Sequence, residues 1–165
     1  MTTTSGIIFV HCVSAALKPH VQWTCESALE EKLNIRWKPQ PAREGTWCAN
    51  IPWKGPAGTS TKVSSALYKL QNLWFEVTEH GTASTDSSWL MHTPSLGLFH
   101  IHTDRAGNFV LTEEHIKRAY EVAGNNPERL YQQFSLALGE AWDAELEPLR
   151  AAHDLSSVTV IPHFR

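Results

Sequence analysis

The sequence predicts an α+β fold. Three observations predict it. Strand and helix patterns follow one another in the order strand, helix, strand, strand, helix, strand over the first half of the chain. The first of these strands is apolar on both of its alternating faces, as a strand covered on two sides must be. The last third of the chain is helical in pattern.

Residues 6–13, GIIFVHCV, form the first strand, with Ile7, Phe9 and Val13 on one face and Ile8, Val10 and Cys12 on the other. In residues 18–33, Pro19 suits a first helical turn, where its missing N–H has no partner to lose. Val21, Cys25, Ala28 and Leu29 then make a buried stripe, with Trp23 off it. Residues 34–39 read as a strand with Ile35 and Trp37 on one face and Arg36 and Lys38 on the other. After the connection PQPAREG, residues 46–53 place Trp47, Ala49, Ile51 and Trp53 together. GPAGTSTKVSSALYKL opens a second helix, capped by Thr59 or Ser60, with Val63, Ala66, Leu67 and Leu70 inward. Residues 73–79, LWFEVTE, form a strand with Leu73, Phe75 and Val77 on one face. Over residues 1–80 this is the order of a ferredoxin-like split βαβ core, βαββαβ, with its first and third strands central.

Residues 81–165 read as a β-hairpin and two or three helices packed on that core, giving one compact domain overall. The stretch 80–88 is a Gly-, Ser- and Thr-rich loop, and 89–92 is a short strand. Strands 98–103 and 109–111 are joined by DRAGN, with Gly107 in a left-handed position. Thr112 caps EEHIKRAYEVA, which Gly124 ends. Asn126-Pro127 opens a helix with the stripe Leu130, Phe134, Ala137 and Leu138, ending at Gly139. Residues 143–152 are helical, with Pro148 starting, kinking or breaking a turn, and 157–161, SVTVI, is a last strand. The extension is expected to cover the Ile8, Val10 and Cys12 face, because leaving large apolar side chains wet costs roughly 1.5–3 kcal/mol each.

Composition narrows the function classes. Hydrophobic residues are 42% and charged residues 19%, a globular rather than a disordered balance. Seventeen acids against fourteen Lys and Arg give a net charge of −3, which argues against a duplex-DNA binder. Cys12, Cys25 and Cys48 are odd in number and form no Cys-x-x-Cys pair, so buried thiols in a reducing compartment are expected. The opening apolar run is short, is interrupted by His11 and lacks a preceding Lys or Arg. It fits neither a signal peptide nor a membrane span, and a cytoplasmic, soluble protein is expected.

Several stretches together carry a resemblance: GIIFVHC followed by KPHVQW, then PAREGTWCANIPWKGPAGT, LWFEVTE, TPSLGLFH and WDAELEPLR. The chain resembles an actinobacterial family of small proteins of about 165 residues, a domain of unknown function. The resemblance spans nearly the whole chain. It implies a bacterial cytoplasmic protein and no catalytic residue, cofactor or substrate.

The sharpest chemical feature is HIHTD. On an extended strand His100 and His102 project together, with Asp104 beyond them. Imidazoles with a carboxylate suit zinc or iron, and His92 and His11 are the further candidate ligands. Arg105 stands where a dinuclear zinc hydrolase run would need another histidine. The competing reading is a polar strand face backed by Phe99 and Ile101. A small-molecule or protein-partner pocket is expected where the sheet meets the hairpin, around Trp89, His92, His100 and His102. His11 and Cys12, as strand neighbours, should face opposite ways and form no nucleophilic pair. Trp37, Trp47, Trp53 and Trp74 read as core rather than an RNA-stacking platform, since the basic and glycine signature of that platform is absent. Gly55 to Thr59 could hold an anion at a helix start, but lacks the Lys-Ser/Thr ending of a nucleotide loop. The reading is a non-catalytic module that binds a small ligand or a protein partner. The alternative is a metal-dependent enzyme on the His-x-His strand.

Overall fold

A computed structural model of the protein describes residues 2–157. The elements are β1 (Thr3–Ser14), a 3-10 turn (Ala15–Leu17), α1 (Lys18–Leu29), β2 (Lys38–Pro39), β3 (Thr46–Pro56), α2 (Thr59–Leu67), β4 (Trp74–Glu79), β5 (Ser87–Thr93), β6 (Gly97–Thr103), β7 (Phe109–Val110), α3 (Glu113–Ala123), α4 (Pro127–Ala137) and α5 (Glu140–Ser157). The fold is mixed α+β. The strands form one open seven-stranded sheet in the order β2-β3-β1-β4-β5-β6-β7, and every neighbouring pair is antiparallel.

β1 lies between β3 and β4, and Ile8 and Val10 are almost wholly buried. One sheet face packs under α1 and α2. Ile8, Val10, Val13, Ile51, Trp53, Phe75 and Val77 meet Val21, Cys25, Val63 and Leu67 in a single apolar cluster. The α1 stripe reads as predicted, with Val21, Cys25 and Ala28 buried and Trp23 60% exposed. The opposite face receives α5, whose Leu146 and Leu149 are buried and which contacts β1 and β5.

The assignment of β1's faces needs correction. Ile8 and Val10 lie beneath α1 and α2, not beneath the C-terminal extension. A β-bulge between Val10 and Val13 shifts the register, so Val13 joins the side of Ile8 and Val10. Cys12, opposite Trp74, turns to the far side. An extra residue inserted in one strand breaks the simple alternation, and sequence alone gives no mark of it.

The predicted strand over 34–39 shrinks to Lys38–Pro39, since Pro39 and Pro41 have no N–H for a ladder. Ile35 and Trp37 still pack on the core. Pro148 lies inside α5 and does not end it. Ala144 and Pro148 are both exposed, so the carbonyl that loses its partner faces water. Thr112 caps α3 as expected; its hydroxyl accepts from the His115 N–H, and His115 Nδ1 accepts from the Thr112 N–H. Ser157, the first residue of the predicted last strand, lies in α5, and residues 158–161 of that strand lie outside the described residues. No helix among the described residues is long and apolar enough to cross a membrane.

The start of α2 is built differently from the prediction. Its N-cap is Gly58, and neither Thr59 nor Ser60 supplies a side-chain cap. Instead Glu79, 6% exposed, accepts from the backbone N–H groups of Gly58 and Ser60, both at 2.8 Å. The anion held at this helix start is thus the chain's own carboxylate, brought there by the last residue of β4.

Candidate functional site

Alternation along β4 sends Phe75 and Val77 beneath the helices and Glu76 to the other face. A lone carboxylate there would be costly, because α5 covers it and only 2% of the residue is exposed. Four hydrogen bonds meet it. Arg150 of α5 donates as a fork, Nε to Oε2 at 2.9 Å and Nη2 to Oε1 at 2.5 Å. Trp89 of β5 donates Nε1–H to Oε1 at 2.9 Å. His11 of β1 approaches Oε2 with Nε2 at 2.6 Å. Paired Arg–carboxylate bonds of this kind fix orientation as well as charge.

Each partner is itself held. Arg150 Nη1 donates to Asp143 Oδ1 at 2.5 Å and to Glu147 Oε2 at 3.1 Å, from the same helical face. His11 sits in the bulge, and its ring lies parallel to that of Phe9. Gln40, 2% exposed, donates to the His11 carbonyl at 2.7 Å and to the Leu149 carbonyl at 3.3 Å, tying the bulge to α5. Trp89 also meets the edge of Phe109.

The electrostatics follow from this packing. Burial would push the Glu76 carboxyl up, but the hydrogen bonds and charges of Arg150 and His11 outweigh it and hold the group down at about 2. Burial alone would weaken the Arg150 cation, yet Glu76 and Asp143 hold its pKa above the ordinary value. Glu76 is therefore an ionised, acceptor-only group. Against this cluster opens a pocket of about 240 Å³, walled by Phe9, Trp89, His11 and Arg150 and rimmed by Asn50, His153 and Asp154.

The predicted site residues separate into two groups. His92, His100 and His102 share the α1/α2 side of the sheet, opposite Leu98, Leu90 and Ser88 respectively. Trp89, opposite Ile101, lies on the other side with Glu76. His92 is buried, donates Nδ1–H to the Leu73 carbonyl at 2.8 Å and stacks on Phe75. Burial pushes its pKa down, with the Leu73 bond opposing. His100 and His102 are exposed, with ring centroids 5.2 Å apart. Partial burial and the neighbouring His102 push His100 down, with Glu79 opposing. Asp104 is occupied by its own turn, accepting from Ala106, Asn108 and the Asn108 side chain. Among the described residues no group of three or more His, Cys, Asp or Glu is placed to hold a metal ion.

The bulge also corrects the reading of His11 and Cys12, which turn to the same side of the sheet. They still do not pair. Cys12 Sγ has Arg43 Nη1 at 4.0 Å, and His11 is engaged by Glu76. Trp53 is core, as expected; Trp47 carries Lys18 on its ring at 3.7 Å and Trp74 carries Arg43 at 4.2 Å. Sequence reasoning missed Glu76, Arg150 and Gln40. The available signal was an acid at the centre of LWFEVTE, together with Asp143, Glu147 and Arg150 at helical spacing.

In comparison with known proteins, the model of a family described as protein of unknown function, DUF3145, matches residues 7–163. The chain belongs to that family. No curated protein and no solved structure matches it.

Proposed function

We propose that this member of the DUF3145 family is a non-catalytic module of the actinobacterial cytoplasm that binds a small ligand in the pocket above Glu76. The observation that carries the reading is the Glu76 carboxylate, held by β1, β5 and α5 at once. It makes a rigid floor of fixed charge under aromatic walls, which is how a preformed ligand site is built. The same bonds argue for binding over chemistry. His11 has an orienting carboxylate, as a general base would, but Cys12 beside it is turned to Arg43, and among the described residues the hydrogen bond of the His11 ring goes to Glu76 rather than to a nucleophile. The cytoplasmic assignment rests on Cys12, Cys25 and Cys48, which are free and buried. Burial, with Glu26, pushes the Cys25 thiol up to about 12, an inert state.

The fold reading goes with it. The order β2-β3-β1-β4 with α1 and α2 on one face is what a ferredoxin-like core over residues 1–80 would have, and β5 to β7 with α3 to α5 would be its extension. The rival reading, a metal-dependent enzyme using His92, His100 and His102 with zinc or iron, is supported by their common side and the 5.2 Å separation of two rings.

A fragment screen followed by amide and indole NMR spectra tests the proposal. Hits should perturb Phe9, Asn50 and the Trp89 indole. Hits that gather at His100 and His102 instead, or no hits at the pocket, would overturn it.

A further inference from the structure

The bulge in β1 sets two thiols side by side. β1 and β3 pair Val10 with Ala49 and then Val13 with Trp47, so His11 and Cys12 together stand opposite Cys48. Cys48 alternates with Trp47 and Ile51 of the α1/α2 face, and so shares the other face with Asn50, which lines the Glu76 pocket. The bulge turns Cys12 to that same face. The two cysteines are thus cross-strand neighbours on one side of the sheet. Residues that face each other across an antiparallel pair lie about 4.5–5.5 Å apart at Cα, inside the roughly 4.4–6.8 Å that a disulfide spans.

Both thiols are free and buried, and the contacts that hold their sulfurs are weak. Cys48 Sγ donates to the Pro39 carbonyl at 3.8 Å, on the β2 side, and Arg43 Nη1 reaches Cys12 Sγ at 4.0 Å. Contacts of that length are given up by a turn about each Cα–Cβ bond, which brings the sulfurs toward one another. Burial pushes the Cys48 thiol up, Lys38 opposite it in β2 opposes, and Cys12 adds to the rise, as a second thiol close by does. Lys38 and Arg43 therefore stand on either side of the pair, and cations beside thiols are the setting of thiolate chemistry. The connection 41–45 that carries Arg43 is exposed throughout, so on that side the pair lies one side chain below solvent. Cys25 is the contrast. It lies in the apolar cluster beneath α1 and α2, on the opposite face of the sheet from the other two thiols.

We infer that Cys12 and Cys48 form a redox site, two thiols in the resting protein that a hydroperoxide converts into one cross-strand disulfide. One sulfur attacks the peroxide. An S–O bond forms, the O–O bond breaks, and the departing hydroxide takes up the proton that the thiol gave up, leaving as water. The second sulfur then attacks the first. The S–S bond forms, the S–O bond breaks, and the oxygen leaves with the second thiol's proton as another water. The two sulfurs give up two electrons and the peroxide oxygens accept them. A small thiol returns the pair to its resting state by exchange. His11 precedes Cys12 and Asn50 stands two residues beyond Cys48, so the bridge closes beside the wall of the Glu76 pocket.

Hydrogen peroxide on the folded full chain tests it. After exposure the remaining thiols are alkylated in urea, and peptides are mapped by mass spectrometry without reduction. The expected product is a Cys12–Cys48 link within one chain, two hydrogens lighter than the reduced pair, with Cys25 recovered as the alkylated thiol. The link should exceed either pairing with Cys25 by at least about tenfold and should vanish on treatment with dithiothreitol. Unfolding the chain in urea before oxidation should erase that preference. Cys25→Ala should form the link as the parent does. Cys12 and Cys48 recovered from the folded protein as free thiols or as separate sulfinic acids, or linked no more often than in unfolded chains, would overturn the assignment.

Discussion

At the scale of single residues, Glu76 couples acidity to stability. Its pKa is about 2 in the folded chain against an ordinary 4.5. A depressed carboxylate contributes stability that is present in full above the unfolded value and is lost as pH falls through the folded one. The window is therefore about pH 4.5 down to about 2, and the loss is about 3 kcal/mol at one pKa unit per ~1.4 kcal/mol. Urea unfolding of the native protein should weaken across that window. Glu76→Gln should cost about 3–5 kcal/mol at neutral pH, because Arg150 loses its buried partner, and should flatten the acid response. An unchanged acid limb in the variant would assign that response to other carboxylates. The histidines show what could and could not be read from spacing. Period-two alternation put His100 and His102 on one face, and the register of β5 against β6 adds His92 to it. Alternation could not show that Asp104 is consumed by its own turn, or that Trp89 donates to a carboxylate thirteen positions earlier in the chain. With two exposed imidazoles and no third donor clustered among the described residues, protein as purified should hold no stoichiometric zinc by elemental analysis.

At the scale of elements, helix stripes and strand alternation were legible because each depends only on neighbours along the chain. The stripe of α1 and the inward faces of β3 and β4 came out as read. Features set by a distant partner did not. Thr59 and Ser60 looked like the cap of α2, but Glu79 at the end of β4 does that work. Glu79→Ala should cost about 1–2 kcal/mol and should lower hydrogen-exchange protection of the Gly58 and Ser60 amides before the rest of α2. Protection unchanged there would mean that water replaces the carboxylate without loss. The bulge in β1 is likewise invisible in GIIFVHCV, yet it brings His11 and Cys12 to one side. Gly6 marks another close approach. A Cβ there would lie 1.8 Å from the Thr78 carbonyl oxygen and 2.8 Å from the Trp53 ring. Gly6→Ala must separate β1 from β4 or displace Trp53, at about 2–3 kcal/mol, and a variant as stable as the parent in urea would contradict that register.

At the scale of the whole molecule, the sheet is a partition between two unlike faces. The α1/α2 face is an apolar cluster whose members are almost all hydrophobic. The α5 face holds a charged cluster that is satisfied only when β1, β4, β5 and α5 are all in place. This explains why the sequence reveals the first face and conceals the second. An apolar face announces itself by periodicity, whereas Glu76 and Arg150 are 74 positions apart and each alone looks like a surface charge. It also makes α5 part of the fold rather than an attachment. A chain ending at Gly139 would lose Leu146, Leu149 and Arg150, leaving Glu76 with only His11 and Trp89. The buried carboxylate would have to take water or a proton, and the β1 and β5 surface beneath α5 would be wet. Such a chain should bind ANS, lose its cooperative urea transition and keep much of its far-UV signal, because the α1/α2 face is untouched. A truncated chain that unfolds as sharply as the full one, with no ANS binding, would show that the apolar face alone specifies the fold and that the charged face serves only the pocket.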